Sequence, residues 1–203
     1  MSLLSADWNY NPGISEYQPD MRKYNSFIGN WLNLRINAAA QNFSILKKMP
    51  TLDEALQTAN PGFLVKETNS TTNCYAAVYA FEARRRGLDV AAVLADTVKG
   101  TEVLSGFKEK SFKSFASKSS IEKQMAEYGD GARMEVLVTW KSDPTQSHAF
   151  IAEQIDGKTH FIDPQRNKTD CSWYFGDAKY ILTTRIDDAL FSDKFKNFVQ
   201  SAE

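Results

Sequence analysis

A chain of 203 residues is long enough for one domain with a modest appendage and for a sizeable core. Its 42% hydrophobic and 24% charged residues exclude wholesale disorder, and a formal net charge of −1 gives no support to binding nucleic acid through phosphates. No apolar run approaches the roughly 18 residues that cross a bilayer. The N-terminal stretch also lacks the basic start and apolar core of a secretory signal. No membrane partner is therefore expected, and a cytoplasmic location in the producing cell is the default.

In chain order, residues 1–26 show no sustained period and read as an extended arm. From Phe27 to Met49, Ile28, Leu32, Ile36, Ala39, Phe43 and Leu46 recur every three or four positions, which predicts one amphipathic helix stopped by Pro50. Thr51 and Glu54 have capping-box spacing and open a short helix that ends near Asn60-Pro61-Gly62. Residues 1–61 thus read as an arm and helical brace. Next, the polar run Glu67–Asn73 leads into a helix that starts at Cys74 and stops at Gly87. Thr72 or Asn73 supplies the N-cap, and Arg84, Arg85 and Arg86 suit the negative end of the dipole. Cys74, Ala77, Val78 and Phe81 make its buried face.

Beyond Gly87 the pattern turns to strands. Residues 89–95 are one candidate, and 134–140 alternate as a half-buried strand. Between them, 99–118 reads as a Lys-rich irregular insertion, and Ser119 with Glu122 as the capping box of a helix bearing Ile121, Met125 and Tyr128. Residues 147–154 and 158–163 form a hairpin around Asp156-Gly157, the strongest short turn signal in the chain. Lys179–Ile186 gives one more strand, and 191–203 a C-terminal helix or tail. Helices first and an antiparallel sheet afterwards make the fold class α+β, with residues 62–190 as its main domain.

Only Cys74, Cys171, His148 and His160 are available for cysteine or histidine chemistry. They lack the spacing of a metal site, so neither metal nor cofactor is expected. With Asp156-Gly157 as a two-residue turn, His148 and Asp163 share one sheet face as diagonal neighbours, whereas His160 lies opposite Glu153 on the other. A cysteine in the first turn of a helix meets the positive end of the macrodipole and unpaired N–H groups, both of which favour thiolate. Cys74, His148 and Asp163 therefore read as nucleophile, base and orienter, and the Cys74 backbone N–H as an oxyanion donor. Taken singly, each has a structural reading: a small core side chain, a satisfied histidine, a strand terminator. Cys171 and His160 are read as structural, with a Cys74–Cys171 disulfide the competing arrangement.

The segments Thr72-Asn73-Cys74 through Arg86-Gly87, Glu127–Arg133, Ser147-His148 and Asp156-Gly157 through Asp163-Pro164-Gln165 together resemble the papain-fold toxin domain of bacterial polymorphic toxins and effectors. These domains are often described as glutamine deamidases. The resemblance spans about residues 62–190 and implies a papain-like hydrolase fold with Cys74, His148 and Asp163 as the triad. Asn73 and Gln165 are candidate substrate-binding or oxyanion residues. The implied partner is a protein carrying a reactive glutamine, with a cognate inhibitor or secretion chaperone as further candidates. Delivery into a target cell would need no signal peptide. Proteolysis and transglutamination pass through the same thioacyl intermediate and stay open, as does a binding or adaptor protein that retains the scaffold and uses Phe107, Phe112 and Phe115.

Overall fold

The structure is a computed structural model and describes residues 33–94 and 100–202. The expected arm at 1–26 and the first turns of the first helix lie outside these residues. Helix α1 occupies 33–39, α2 Leu52–Ala59, α3 Pro61–Leu64 and α4 Cys74–Arg85. After β1 (Val90–Ala92) and β2 (Lys113–Phe115) come α5 (Lys118–Tyr128), β3 (Arg133–Trp140), β4 (Ser147–Ile155) and β5 (Lys158–Ile162). The chain closes with α6 (Tyr174–Asp177), β6 (Ala178–Arg185) and β7 (Val199–Ser201). Five strands form an antiparallel sheet in the order β2-β6-β3-β4-β5, and β1 pairs separately with β7. The fold is α+β.

Period-two alternation gives the sheet two apolar faces, and a helix covers each. Leu137, Ala149, Ile151 and Ile162 face α4. Met134, Val136, Val138, Phe150 and Ala152 face α5 through Ile121 and Met125. Helix α4 is enclosed on nearly every side, with Ala76 through Ala83 all buried. Its Tyr79 ring stacks on Phe107 at 4.4 Å and meets Phe198 at 4.0 Å between centroids. A glycine is needed at position 106 because a Cβ there would come within 2.6 Å of the Tyr79 ring. That close approach lets the Gly106 N–H donate to Tyr79 Oη, while the phenol donates to the Val103 carbonyl.

Several expectations need correction. The first helix ends at residue 39 and does not run to Met49. Asn42 turns left-handed at φ 63°, and 44–46 then pair in strand fashion with 87–89 through Leu46 N–H to Gly87 O and Asp89 N–H to Ser44 O. Ile36, placed on the buried stripe, is 59% exposed. Over its described part the 99–118 segment is not an irregular insertion: Val103, Leu104 and Phe107 enter the core and β2 joins the sheet. The capping box of α5 is made by Ser117 and Ser120, not Ser119 and Glu122; the Glu122 carboxylate pairs with Lys118. Residues 191–202 are not an appended helix or tail, since Phe191, Phe195 and Phe198 pack on α4 and β7 pairs with β1.

The three arginines ending α4 do more than answer its dipole. Arg85 donates to Glu153 at 2.6 Å, and Arg86 to Glu82 at 2.7 Å and to the carbonyls of Ile186 and Ala189. Arg133 from β3 also reaches Glu82, whose carboxyl is pulled down to about 2 because the two guanidinium charges outweigh the burial that raises it. These buried pairs fasten the C-terminal end of α4 to the sheet, and so fix where its N-terminal end lies.

Candidate active site

Cys74 is the first residue of α4 and is 8% exposed. The helix starts there because Glu67–Asn73 turns tightly, with Asn69 in the left-handed region at φ 69° and Ser70 N–H donating to Glu67 O. Asn73 holds the N-cap position, yet its side chain makes no cap bond. Both of its amide hydrogens are engaged elsewhere, on Asn60 Oδ1 at 2.9 Å and Val93 O at 3.0 Å. Gln165 Nε2 donates to Asn73 Oδ1 at 3.3 Å. Asn60 Nδ2 closes the network on Ser70 O, Asn73 Oδ1 and Gln165 O. The Asn73 amide therefore ties three loops together, with both of its hydrogens engaged within the protein. The Gln165 amide is anchored in the same knot.

The Asp156-Gly157 turn, at φ 49° and 72°, sets the hairpin register as expected, with Ile155 opposite Lys158 and Ile151 opposite Ile162. His148 and Asp163 then meet: Nε2 lies 2.8 Å from Asp163 Oδ2. His160 sits opposite Glu153, away from this meeting. The imidazole is 5% exposed, stacked beside Trp140 and Phe150 and edge-on to Tyr174. Cys74 lies close enough to the same ring to help raise its basicity. Because Nε2 is taken by the carboxylate, Nδ1 is the nitrogen left for sulfur. Burial lowers the basicity of His148, but the hydrogen bond to Asp163 and the influence of Asp163 and Cys74 outweigh it and raise its pKa to about 9.

Asp163 is fully buried and accepts from four donors. Its Oδ1 receives the backbone N–H groups of Gln165 and Arg166, and its Oδ2 receives His148 and the Tyr174 phenol at 2.7 Å. Burial pushes this carboxyl up; the His148, Tyr174 and backbone donors prevail and hold it below its ordinary value. The turn that aims these donors is closed by reciprocal backbone bonds between Asp163 and Lys168.

The structure thus brings Cys74, His148 and Asp163 together in one series, with His148 hydrogen-bonded to Asp163 and acted on by Cys74. Cys171 stays apart as a free, buried cysteine whose thiol is pushed up by burial. No disulfide joins it to Cys74. Among the described residues no group of His, Cys, Asp or Glu is arranged to hold a metal ion, and no helix is long and apolar enough to cross a membrane. Sequence reasoning missed Tyr174, Trp140 and Asn60. The aromatic run Trp173-Tyr174-Phe175 carries no period or spacing that singles out one hydroxyl, and Asn60 reads as an ordinary helix stop before proline.

No protein-family model matches this chain, and no curated protein matches its sequence. Among solved structures, a variant of the Salmonella effector SpvD is similar, with a TM-score of 0.47 and 14% sequence identity over 70% of this chain and 81% of that chain.

Proposed function

We propose that the protein is a papain-like cysteine hydrolase that deamidates a glutamine side chain of a target protein, acting as a bacterial toxin or effector. The observation that carries this reading is the series Cys74–His148–Asp163, with the sulfur at a helix N-terminus and the ring held by a buried carboxylate. The motif resemblance of residues 62–190 supports the substrate class.

In the proposed cycle, Cys74 passes its proton to His148 Nδ1, and the thiolate attacks the side-chain amide carbon of glutamine. A C–S bond forms and the carbonyl electron pair moves onto oxygen, beside the backbone N–H groups of the first turn of α4. The imidazolium returns its proton to the leaving nitrogen, the C–N bond breaks, and ammonia departs from a thioester. Water then attacks the thioester carbon while His148 takes its proton. Collapse of that second tetrahedral species breaks the C–S bond, leaves glutamate and restores the thiol. Asp163 keeps the ring in one tautomer and stabilises its charged form throughout.

Two measurements test the proposal. Cys74 should be alkylated by iodoacetamide well below pH 8 and far faster than Cys171, and His148→Ala should slow it by at least about tenfold. Mass spectrometry of candidate target proteins should show a +1 Da change at a glutamine that disappears with Cys74→Ala. Chain cleavage in place of that change would assign proteolysis. Equal and sluggish labelling of both cysteines would reduce the protein to a binding scaffold.

A further inference from the structure

We propose that Tyr174, backed by Arg166, is a positioning residue that sets the basicity of His148 by sharing the Asp163 carboxylate with it. This deepens the cysteine-hydrolase reading and rests on it for the consequence to chemistry, but its physical basis is independent of any substrate.

The two hydrogen bonds to Asp163 Oδ2 are alike in length, 2.8 Å from His148 Nε2 and 2.7 Å from Tyr174 Oη. The direction of the second is fixed by its neighbour. Arg166 Nη1 lies 3.3 Å from Tyr174 Oη, and a guanidinium can only donate, so the single phenolic proton belongs to the carboxylate. A cationic donor on the phenol oxygen also makes that O–H a stronger donor. The series therefore runs Arg166, Tyr174, Asp163, His148, Cys74, from an exposed guanidinium to a buried sulfur. Tyr174 is held rigidly for this task. Its N–H donates to Cys171 O, Cys171 N–H donates to Phe161 O, and its ring packs edge-on against His148 and Trp140.

An anion stabilised by an added donor attracts a neighbouring imidazolium less. Without the phenol, Oδ2 would turn its charge onto His148 alone and hold the ring protonated more firmly. Such a ring keeps a thiolate company but returns its proton reluctantly to a leaving nitrogen, so the second donor serves the acid half of the cycle. The other groups facing His148 do not supply this control. β3 contributes Val138 and Trp140, which do not titrate; Cys74 and Asp163 are the partners themselves; and burial keeps Cys171, beside Asp163, as a neutral thiol.

The experiment is the titration of His148 followed by NMR of its ring in the full chain. Tyr174→Phe keeps the ring packing and removes only the hydroxyl. It should move the His148 pKa upward by about one unit, the scale of one hydrogen bond to a charged group. Arg166→Gln, at an exposed position that a fold tolerates, should move it the same way by less. Alkylation gives a parallel readout in the same proteins. Anionic iodoacetate is drawn by the imidazolium charge whereas neutral iodoacetamide is not, so their rate ratio at Cys74 falls as His148 deprotonates. In Tyr174→Phe that fall should occur at a pH higher by the same amount. A purely structural tyrosine would lower the melting temperature and leave both titrations where they were; unmoved titrations in folded Tyr174→Phe and Arg166→Gln overturn the proposal. The NMR shift decides it even if Cys74 labels no faster than Cys171, a result that would count against the hydrolase reading and not against this one.

Discussion

His148 is the residue on which the proposed chemistry and the stability of the site converge. Its pKa is raised from 6.5 to about 9 in the folded chain, so the fold binds a proton there that the unfolded chain releases. The resulting stabilisation is present in full below about pH 6.5 and is lost as the pH rises through about 9. Asp163 has the opposite dependence: its lowered carboxyl stabilises the fold above its ordinary range and ceases to do so in acid. His148→Gln should therefore lower the melting temperature most near pH 6, and the deficit should shrink by pH 10. Thermal unfolding of both proteins across that range reads the difference. A deficit independent of pH would show that the ring contributes packing alone.

At the scale of elements, β3 carries a group whose burial is not compensated. Glu135 is fully buried where β3 passes under α4, between Ile151 of β4 and Thr184 of β6, and neither carboxylate oxygen has a hydrogen-bond partner among the described residues. Burial pushes its pKa up to about 8. The folded chain then holds more protons than the unfolded one between about 4.5 and 8, and stability falls as the pH rises through that interval. Glu135→Gln should raise the melting temperature at pH 8, with the gain vanishing toward pH 4.5. Sequence alternation had put Glu135 on the outward side of a half-buried strand; nothing local announces that α4 covers that side too. The hairpin was legible because Asp156-Gly157 fixes register by itself, and the start of α4 because a polar turn precedes an apolar run. Where pairing is distant the reading failed. The end of α1 depends on strand-like bonds between 44–46 and 87–89, and the role of 100–118 on three apolar residues scattered among lysines. For Tyr174, what matters is a hydroxyl meeting a carboxylate across a turn, and no spacing rule encodes that.

The whole molecule is built around α4, and its cladding comes from both ends of the described chain. α2 covers one side, Phe107 another, and Phe191, Phe195 and Phe198 return from the far end of the sequence. Phe198 is 1% exposed against Tyr79, so Phe198→Ala should destabilise the fold by about 3–5 kcal/mol in denaturant titration. A much smaller loss would mean that this segment can leave without opening the core. The two apolar clusters lie on opposite faces of the sheet, and the site straddles them: Cys74 belongs to the cluster around α4, whereas Phe150 and Tyr174, which frame the imidazole, belong to the one around α5. Sulfur and ring thus report on the alignment of two separately packed slabs. A slip of about one ångström between the layers would leave each slab internally intact and still draw the Cys74 sulfur away from the His148 ring. Mild heating or dilute denaturant should for that reason slow the alkylation of Cys74 while circular dichroism registers an unaltered fold.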